Sequence, residues 1–237
     1  MSETIFTRPT ELILIRHAES ARNVAKKGST YFADEYARET VKGIPDHEIP
    51  LTNEGFEQAH ETGIYLRNRF GVPDYFYHSG YLRTIQTQGA ILEAFTPEEI
   101  SGIKQRMNPE IRERDAGYAY DMTTEEAEAH FPYLKEHWAT FGGFLARPPG
   151  GESLYDVSRR VYTFLNTLFR DRRGKKVWAT THGGTLRTFR FRLERWNYEK
   201  ALRWPEGQSP KNCGITVYKL DPVQQRLVLE EYNTVAW

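Results

Sequence analysis

Two histidines and two arginines stand where apolar runs stop. Leu12-Ile13-Leu14-Ile15 runs directly into Arg16-His17, and Val177-Trp178-Ala179-Thr180 passes through Thr181 into His182-Gly183-Gly184. A third extended segment, Tyr75-Phe76-Tyr77-His78, leads through Ser79-Gly80 to Arg83. A guanidinium fork grips two oxygens of an anionic group, and a neutral imidazole can attack phosphorus. The residue types therefore suit phosphoryl chemistry. Gly183-Gly184 leaves the backbone free to approach phosphate oxygens, and a helix starting there would add its positive end. One Arg-His pair ending a strand means little. Three segments that each deliver a His or an Arg exceed what a core requires.

The elements that must position these groups follow from periodicity. The four-aliphatic run and the 177–180 run read as fully buried strands, and in open α/β sheets ligands bind at the carboxyl ends of strands. Strands alternate with helices along the chain. The expected fold is α/β, a three-layer sandwich with a mostly parallel central sheet and helices on both faces. Asn53 to Phe70 places Phe56, Ala59, Gly63, Ile64 and Phe70 near one helical face, with Thr52 as N-cap. A helix from Tyr81 to about Phe95 carries Arg83 in its first turn and ends before Pro97. Ser153 to Asp156 resembles a capping box. It opens a helix whose Val157, Val161, Phe164, Leu165 and Leu168 form a stripe. Gly214 to Leu220 and Leu227 to Tyr232 read as strands joined at Asp221-Pro222.

Two stretches break the alternation. Val24 to Pro50 is a charged excursion, and Ala116 to Pro149 carries Tyr118, Tyr120, Phe131, Tyr133, Trp138, Phe141 and Phe144. Thr123 pairs with Glu126 as the start of a short helix there. Long loops in compact domains often form lids, so residues 24–50 and 116–149 are expected to make a small cap over the site and set substrate choice. The plain alternative is that the aromatics fill a satellite core.

Composition bounds the rest. The 237 residues carry 32 Lys and Arg against 32 Asp and Glu, so a broad nucleic-acid footprint is not expected. The length suits one domain spanning 1–237. Cys213 is the single cysteine, which fits a reducing compartment. Met1 to Thr10 is polar without an apolar signal core, and no run is long enough to span a membrane. The expected location is cytoplasmic, with no membrane partner. The sequence leaves a homo-oligomer open.

At this point six pieces, in order, resemble the histidine phosphatase superfamily, which includes the cofactor-dependent phosphoglycerate mutases. They are Arg16-His17-Ala18-Glu19-Ser20-Ala21-Arg22-Asn23, Leu51-Thr52-Asn53-Glu54-Gly55, Ser79-Gly80-Tyr81-Leu82-Arg83-Thr84, Ile111-Arg112-Glu113-Arg114-Asp115-Ala116-Gly117, Pro149-Gly150-Gly151-Glu152-Ser153 and Thr181-His182-Gly183-Gly184. The resemblance implies that His17 is a nucleophile forming a phosphohistidine that water then hydrolyses. It implies a phosphate clamp of Arg16, Arg83 and His182, a substrate contact at Asn23, and catalysis without metal or other cofactor. Glu113 is the candidate proton donor for the leaving alkoxide, with Asp115 and Glu110 as alternatives. The nucleophile must be neutral, which Arg16 and Arg83 favour, and its other nitrogen is expected to donate to a backbone carbonyl.

Glu19 and Ser20 read as residues of a first helical turn, and Glu152-Ser153 as structural. His78 lies near enough to Ser79 and Arg83 to be a candidate pocket residue, whereas His47, His60, His130 and His137 lack metal-ligand spacing. The chain departs from the family pattern at Ala18, at Gly80 where a proline is common and a looser turn is expected, and in the long 24–50 excursion. The expected activity is hydrolysis of small phosphate monoesters. A phosphoglycerate mutase is the alternative, disfavoured because Asp115 to Ala146 holds one basic residue, Lys135. A catalytically inactive phosphate- or protein-binding module is the third reading.

Overall fold

Successive residues of a strand face opposite ways, so a strand that is apolar throughout must be covered on both sides. In the computed structural model, which describes residues 7–202 and 207–237, strand β1 (Glu11–Arg16) does this. Ile13 and Ile15 enter one core, Leu12 and Leu14 the other. Along the chain follow α1 (Ala21–Lys26), α2 (Glu35–Glu39), α3 (Asn53–Phe70), β2 (Tyr75–His78), α4 (Leu82–Leu92), α5 (Pro97–Gly102) and β3 (Lys104–Met107). Then come α6 (Thr124–His130), α7 (Leu134–Leu145), α8 (Leu154–Asp171), β4 (Lys176–Thr181), α9 (Gly183–Leu193), α10 (Tyr198–Leu202), β5 (Ile215–Asp221) and β6 (Arg226–Thr234). The polar start of the chain before Thr7 lies outside the described residues.

The strands form one sheet in the order β3-β2-β4-β1-β5-β6. β3, β2, β4 and β1 run parallel, and the β5–β6 hairpin joins antiparallel at β1. The sheet is therefore mixed but mostly parallel, with helices on both faces. On one face Ile13, Ile15, Phe76, Trp178 and Val217 meet Ala59, Leu66 and Phe70 of α3 and Ala90 and Ile91 of α4. On the other, Leu12, Leu14, Val177 and Ala179 meet α8 and α9. All five residues of the predicted α8 stripe are buried, and the Ser153–Asp156 capping box forms. Neither α5 nor β3 has a legible apolar period; β3 is exposed along its whole length because it is the sheet edge.

The face of α3 differs from the expected one. Phe56 and Ile64 are exposed, and the buried stripe is Gly55, Gln58, Ala59, Thr62, Gly63, Leu66 and Phe70. Close approach decides this. A Cβ on Gly63 would stand 2.3 Å from the Ile91 carbonyl oxygen, and one on Gly55 2.1 Å from that of Glu19. The helix presses its glycine side onto α4 and the β1–α1 loop, which turns the neighbouring large residues outward.

The two excursions are clipped together. Ala25, Phe32, Val41 and Ile49 make a small core of their own. The Phe32 N–H donates to the Met122 carbonyl at 3.1 Å, and the Thr124 N–H to the Phe32 carbonyl at 2.9 Å. Of the aromatics in 116–149, Phe144 is buried, while Tyr118, Tyr133 and Phe141 are exposed. Tyr120, Phe131 and Trp138 line a cleft.

We expect Gly63→Ala to destabilise the protein by about 1–3 kcal/mol, since neither backbone can move cheaply. Phe56→Ser should cost no more than about 0.5 kcal/mol. Urea unfolding of both variants checks the assignment of the buried face.

Candidate active site

The parallel strands end together, and their carboxyl ends carry the candidate residues. Arg16 closes β1 and His17 follows it; His182 follows β4 and caps α9; Arg83 lies in the first turn of α4. Arg16, His17, Asn23, Arg83, Glu113 and Gly183 line one cleft of about 1150 Å³. His182 is fully buried and does not line the cleft itself; its ring centroid stands 5.2 Å from that of His17, which does. Strand register alone puts the two histidines side by side, because Arg16 pairs with Thr181.

His17 is 3% exposed, and its Nδ1 lies 2.8 Å from the Ala18 carbonyl oxygen. A carbonyl only accepts, so Nδ1 carries the proton and Nε2 the lone pair. Burial holds its pKa well below the ordinary 6.5, and the nearby Arg83 and Arg16 lower it further. His182 is shifted the same way, first by burial and then by Arg83. Arg16 donates through Nη1 to the Pro210 carbonyl at 2.6 Å, while its Nε is buried without a partner. The Glu113 carboxylate accepts the Arg114 N–H at 2.8 Å, and a Cβ on Gly184 would stand 2.7 Å from its Oε1. Gly184 thus leaves room for the Glu113 carboxylate where it stands in the cleft.

A sequence profile described as the histidine phosphatase superfamily (branch 1) matches residues 12–233. The chain belongs to the histidine phosphatase superfamily. A phosphoglycerate mutase-like protein of Arabidopsis thaliana is 35% identical over 173 residues, covering 69% of this chain and 54% of that protein. The chain spans between about half and two thirds of the length of this and a second Arabidopsis relative, 54% and 65%. A 2,3-bisphosphoglycerate-dependent phosphoglycerate mutase of Rhizobium etli is 30% identical over 212 residues, covering 88% of this chain and 90% of that one. Among solved structures, a mycobacterial glucosyl-3-phosphoglycerate phosphatase in complex with inorganic phosphate superposes with a TM-score of 0.70 at 19% identity, covering 96% and 98% of the two chains.

Several sequence expectations change at this superfamily site. His78 is not a wall of the cleft; its Nδ1 accepts the Gly80 N–H at 3.1 Å. Gly80 does not loosen the turn, because it sits at φ +94°, which a glycine adopts without strain. Glu19 does not serve its own helix turn; its carboxylate accepts from Thr52 Oγ1 at 2.8 Å, beside the α3 N-terminus. Ser20 does cap α1, with Asn23. The Asn23 oxygen is spent on Ser20 and on Asn212 Nδ2, and the residue lines the cleft. Asp115 and Glu110 lie outside the cleft, which separates Glu113 from both alternatives. Glu152 is structural, holding Arg160, Arg112 and the Asp115 N–H.

The counting of basic residues in 115–146 understates the positive charge. Arg22, Lys26, Arg114 and Arg187 also line the cleft and come from outside that stretch or from its border. Lys26 is buried among the Tyr120 and Phe32 rings and donates to the Thr30 and Tyr120 carbonyls; burial lowers its pKa to about 7. Among the described residues no group of three or more His, Cys, Asp and Glu is placed to hold a metal, and no helix is long and apolar enough to cross a membrane.

Sequence reasoning missed Asp46. Its two carboxylate oxygens face Arg83 Nη1 and Nη2 at 3.1 and 3.3 Å, and Tyr120 Oη donates to it at 2.7 Å. The Arg83 Nη1 also reaches the Asp46 carbonyl at 2.6 Å. In a charged excursion one acidic residue gives no local signal, so only the fold finds it. We expect Asp46→Asn to weaken inorganic phosphate binding about ten-fold, the loss of one charge-assisted hydrogen bond that orients Arg83. Titration calorimetry reads this; unchanged or tighter binding contradicts it.

Proposed function

We propose that this chain is a metal-independent phosphatase that hydrolyses small phosphate monoesters through a phosphohistidine on His17. The observation that carries the reading is the state of His17: an imidazole kept neutral, its Nδ1 committed to a carbonyl, facing a cleft shared with two arginines. Its Nε2 attacks phosphorus and the ester oxygen leaves. Arg16, Arg83 and His182 stabilise the charge spread over the transferring oxygens, and the backbone at Gly183 adds the positive end of α9. Glu113 gives its proton to the departing alkoxide. It then takes one from the water that attacks the phosphohistidine, which regenerates His17 and releases phosphate.

A mutase is the second reading, favoured by the Rhizobium relative and by the cations beyond the clamp. Hydrolysis is preferred because a cleft of about 1150 Å³ leaves room for water around a small phosphorylated ligand. A mutase must keep water from its phosphohistidine. Retention of every charged group of the clamp disfavours an inactive binding module. The cap segments are the proposed determinants of leaving-group preference. Cys213, single in the chain and buried, keeps the cytoplasm as the proposed compartment.

Two tests follow. Release of p-nitrophenol from p-nitrophenyl phosphate should persist in EDTA and fall by about four orders of magnitude in His17→Ala, in line with loss of a covalent nucleophile. Activity that survives His17→Ala assigns the nucleophile elsewhere. The acid limb of kcat/KM should lie below pH 6.5, since a lowered His17 pKa keeps the ring neutral until the solution is more acidic than an ordinary histidine tolerates. An acid limb at or above that value contradicts the assignment.

A further inference from the structure

The hydrogen bonds behind His182 are unlike those of His17. Its Nε2 lies 2.8 Å from Ser79 Oγ, which lies 2.9 Å from Thr84 Oγ1. Its Nδ1 is buried and meets no protein partner. All three residues are almost wholly excluded from water, so the orientation of each hydroxyl is set by the protein and by whatever occupies the cleft.

Each hydroxyl has one proton, and the arrangement can be completed in two directions. In one, His182 Nε2–H donates to Ser79, Ser79 to Thr84, and Thr84 to the Tyr81 carbonyl 2.8 Å away. In the other, Thr84 donates to Ser79 and Ser79 donates to a bare Nε2. The Tyr81 carbonyl loses nothing essential in this second state, since it also accepts the Thr84 and Ile85 N–H groups at 2.9 and 3.1 Å. The Tyr81 N–H meets Ser79 Oγ at 3.3 Å in both. Switching direction needs only hydroxyl rotation and exchange of the ring proton.

The two states present opposite faces to a ligand. In the first, Nδ1 is a bare lone pair, which repels a phosphate oxygen set against it. In the second, Nδ1 carries a proton to donate to such an oxygen, without requiring a buried imidazolium beside Arg83 and Arg16. We propose that Ser79, backed by Thr84, is a positioning residue that fixes phosphate-bound His182 as the neutral Nδ1–H tautomer, and so makes it a hydrogen-bond donor to the phosphate. The assignment rests on the reading of the cleft as a phosphate site. Ser79 itself touches no substrate; it acts through the imidazole.

The test is nitrogen-15 NMR of histidine-labelled protein saturated with inorganic phosphate, with Ser79→Ala and Thr84→Val alongside wild type. Wild-type His182 should show a protonated Nδ1 and a bare, hydrogen-bonded Nε2. Ser79→Ala should shift the ring toward Nε2–H and weaken phosphate binding about ten-fold or more, the usual size of a lost hydrogen bond to a charged group. Thr84→Val, which leaves Ser79 able to donate, should keep the Nδ1–H tautomer with a smaller loss. Should Ser79→Ala not fold, the wild-type tautomer alone decides, because an Nε2–H ring or an imidazolium in the phosphate complex overturns the proposal. So does Ser79→Ala that folds and binds phosphate as wild type. A protein that binds phosphate but turns over no ester defeats the phosphatase reading while leaving the tautomer to be read; one that binds no phosphate defeats both.

Discussion

The site depends on an imidazole that stays uncharged within reach of two guanidinium groups. Burial strips an imidazolium of its solvation, and Arg83 and Arg16 oppose the same proton. The cations that repel a proton from His17 are those that would hold a phosphate in front of it. In the proposed reaction one arrangement therefore does two jobs, keeping His17 neutral and concentrating charge where the transferring phosphoryl would need it. The Ala18 carbonyl completes the device by fixing which ring nitrogen faces outward. None of this needs a mobile part, because β1 and β4 pair in parallel and end together.

What the sheet cannot supply is support for Arg83, which sits on a helix beside the sheet edge of the cleft. That support comes from the 24–50 segment. Asp46 holds the Arg83 guanidinium from a short turn whose place is set by the small core of Phe32, Val41 and Ile49. Tyr120, from the second excursion, donates to the same carboxylate. The two excursions and the Arg83 guanidinium thus form one network, so a change in either excursion reaches the arginine through Asp46. Asp46 also offsets part of the charge of a cleft that otherwise carries many cations, so the buried arginine is paired rather than isolated.

The legible part of the sequence was the part governed by short-range rules. Four aliphatics in a row gave β1, a 3.6-residue stripe gave α8, and turn chemistry gave the β5–β6 hairpin. The histidines and arginines were found because each closes or follows such an element. The larger errors come from contacts made at a distance in sequence, the smaller ones from local turns and an exposed sheet edge. Phe56 and Ile64 counted as buried by type, yet the glycine side of α3 meets Ile91 and Glu19 more closely than any large residue could. β3 is a sheet edge that needs no apolar pattern. His78 stood near Arg83 in sequence, but its ring turns back to the Gly80 N–H. Asp46 lies 37 residues from the Arg83 it holds, whereas the cleft-lining Arg187 sits on α9 just past His182; no local pattern marks either.

The central claim is that His17 carries the phosphoryl group in turnover. The most direct measurement is rapid quenching into base of the protein mixed with a phosphate monoester, followed by peptide mass spectrometry, since phosphohistidine survives alkali and is lost in acid. The account predicts one added phosphoryl group on the peptide containing His17, appearing within a single turnover and absent from His17→Asn. A folded, active protein that never shows this adduct, or shows it on His182 instead, contradicts the account.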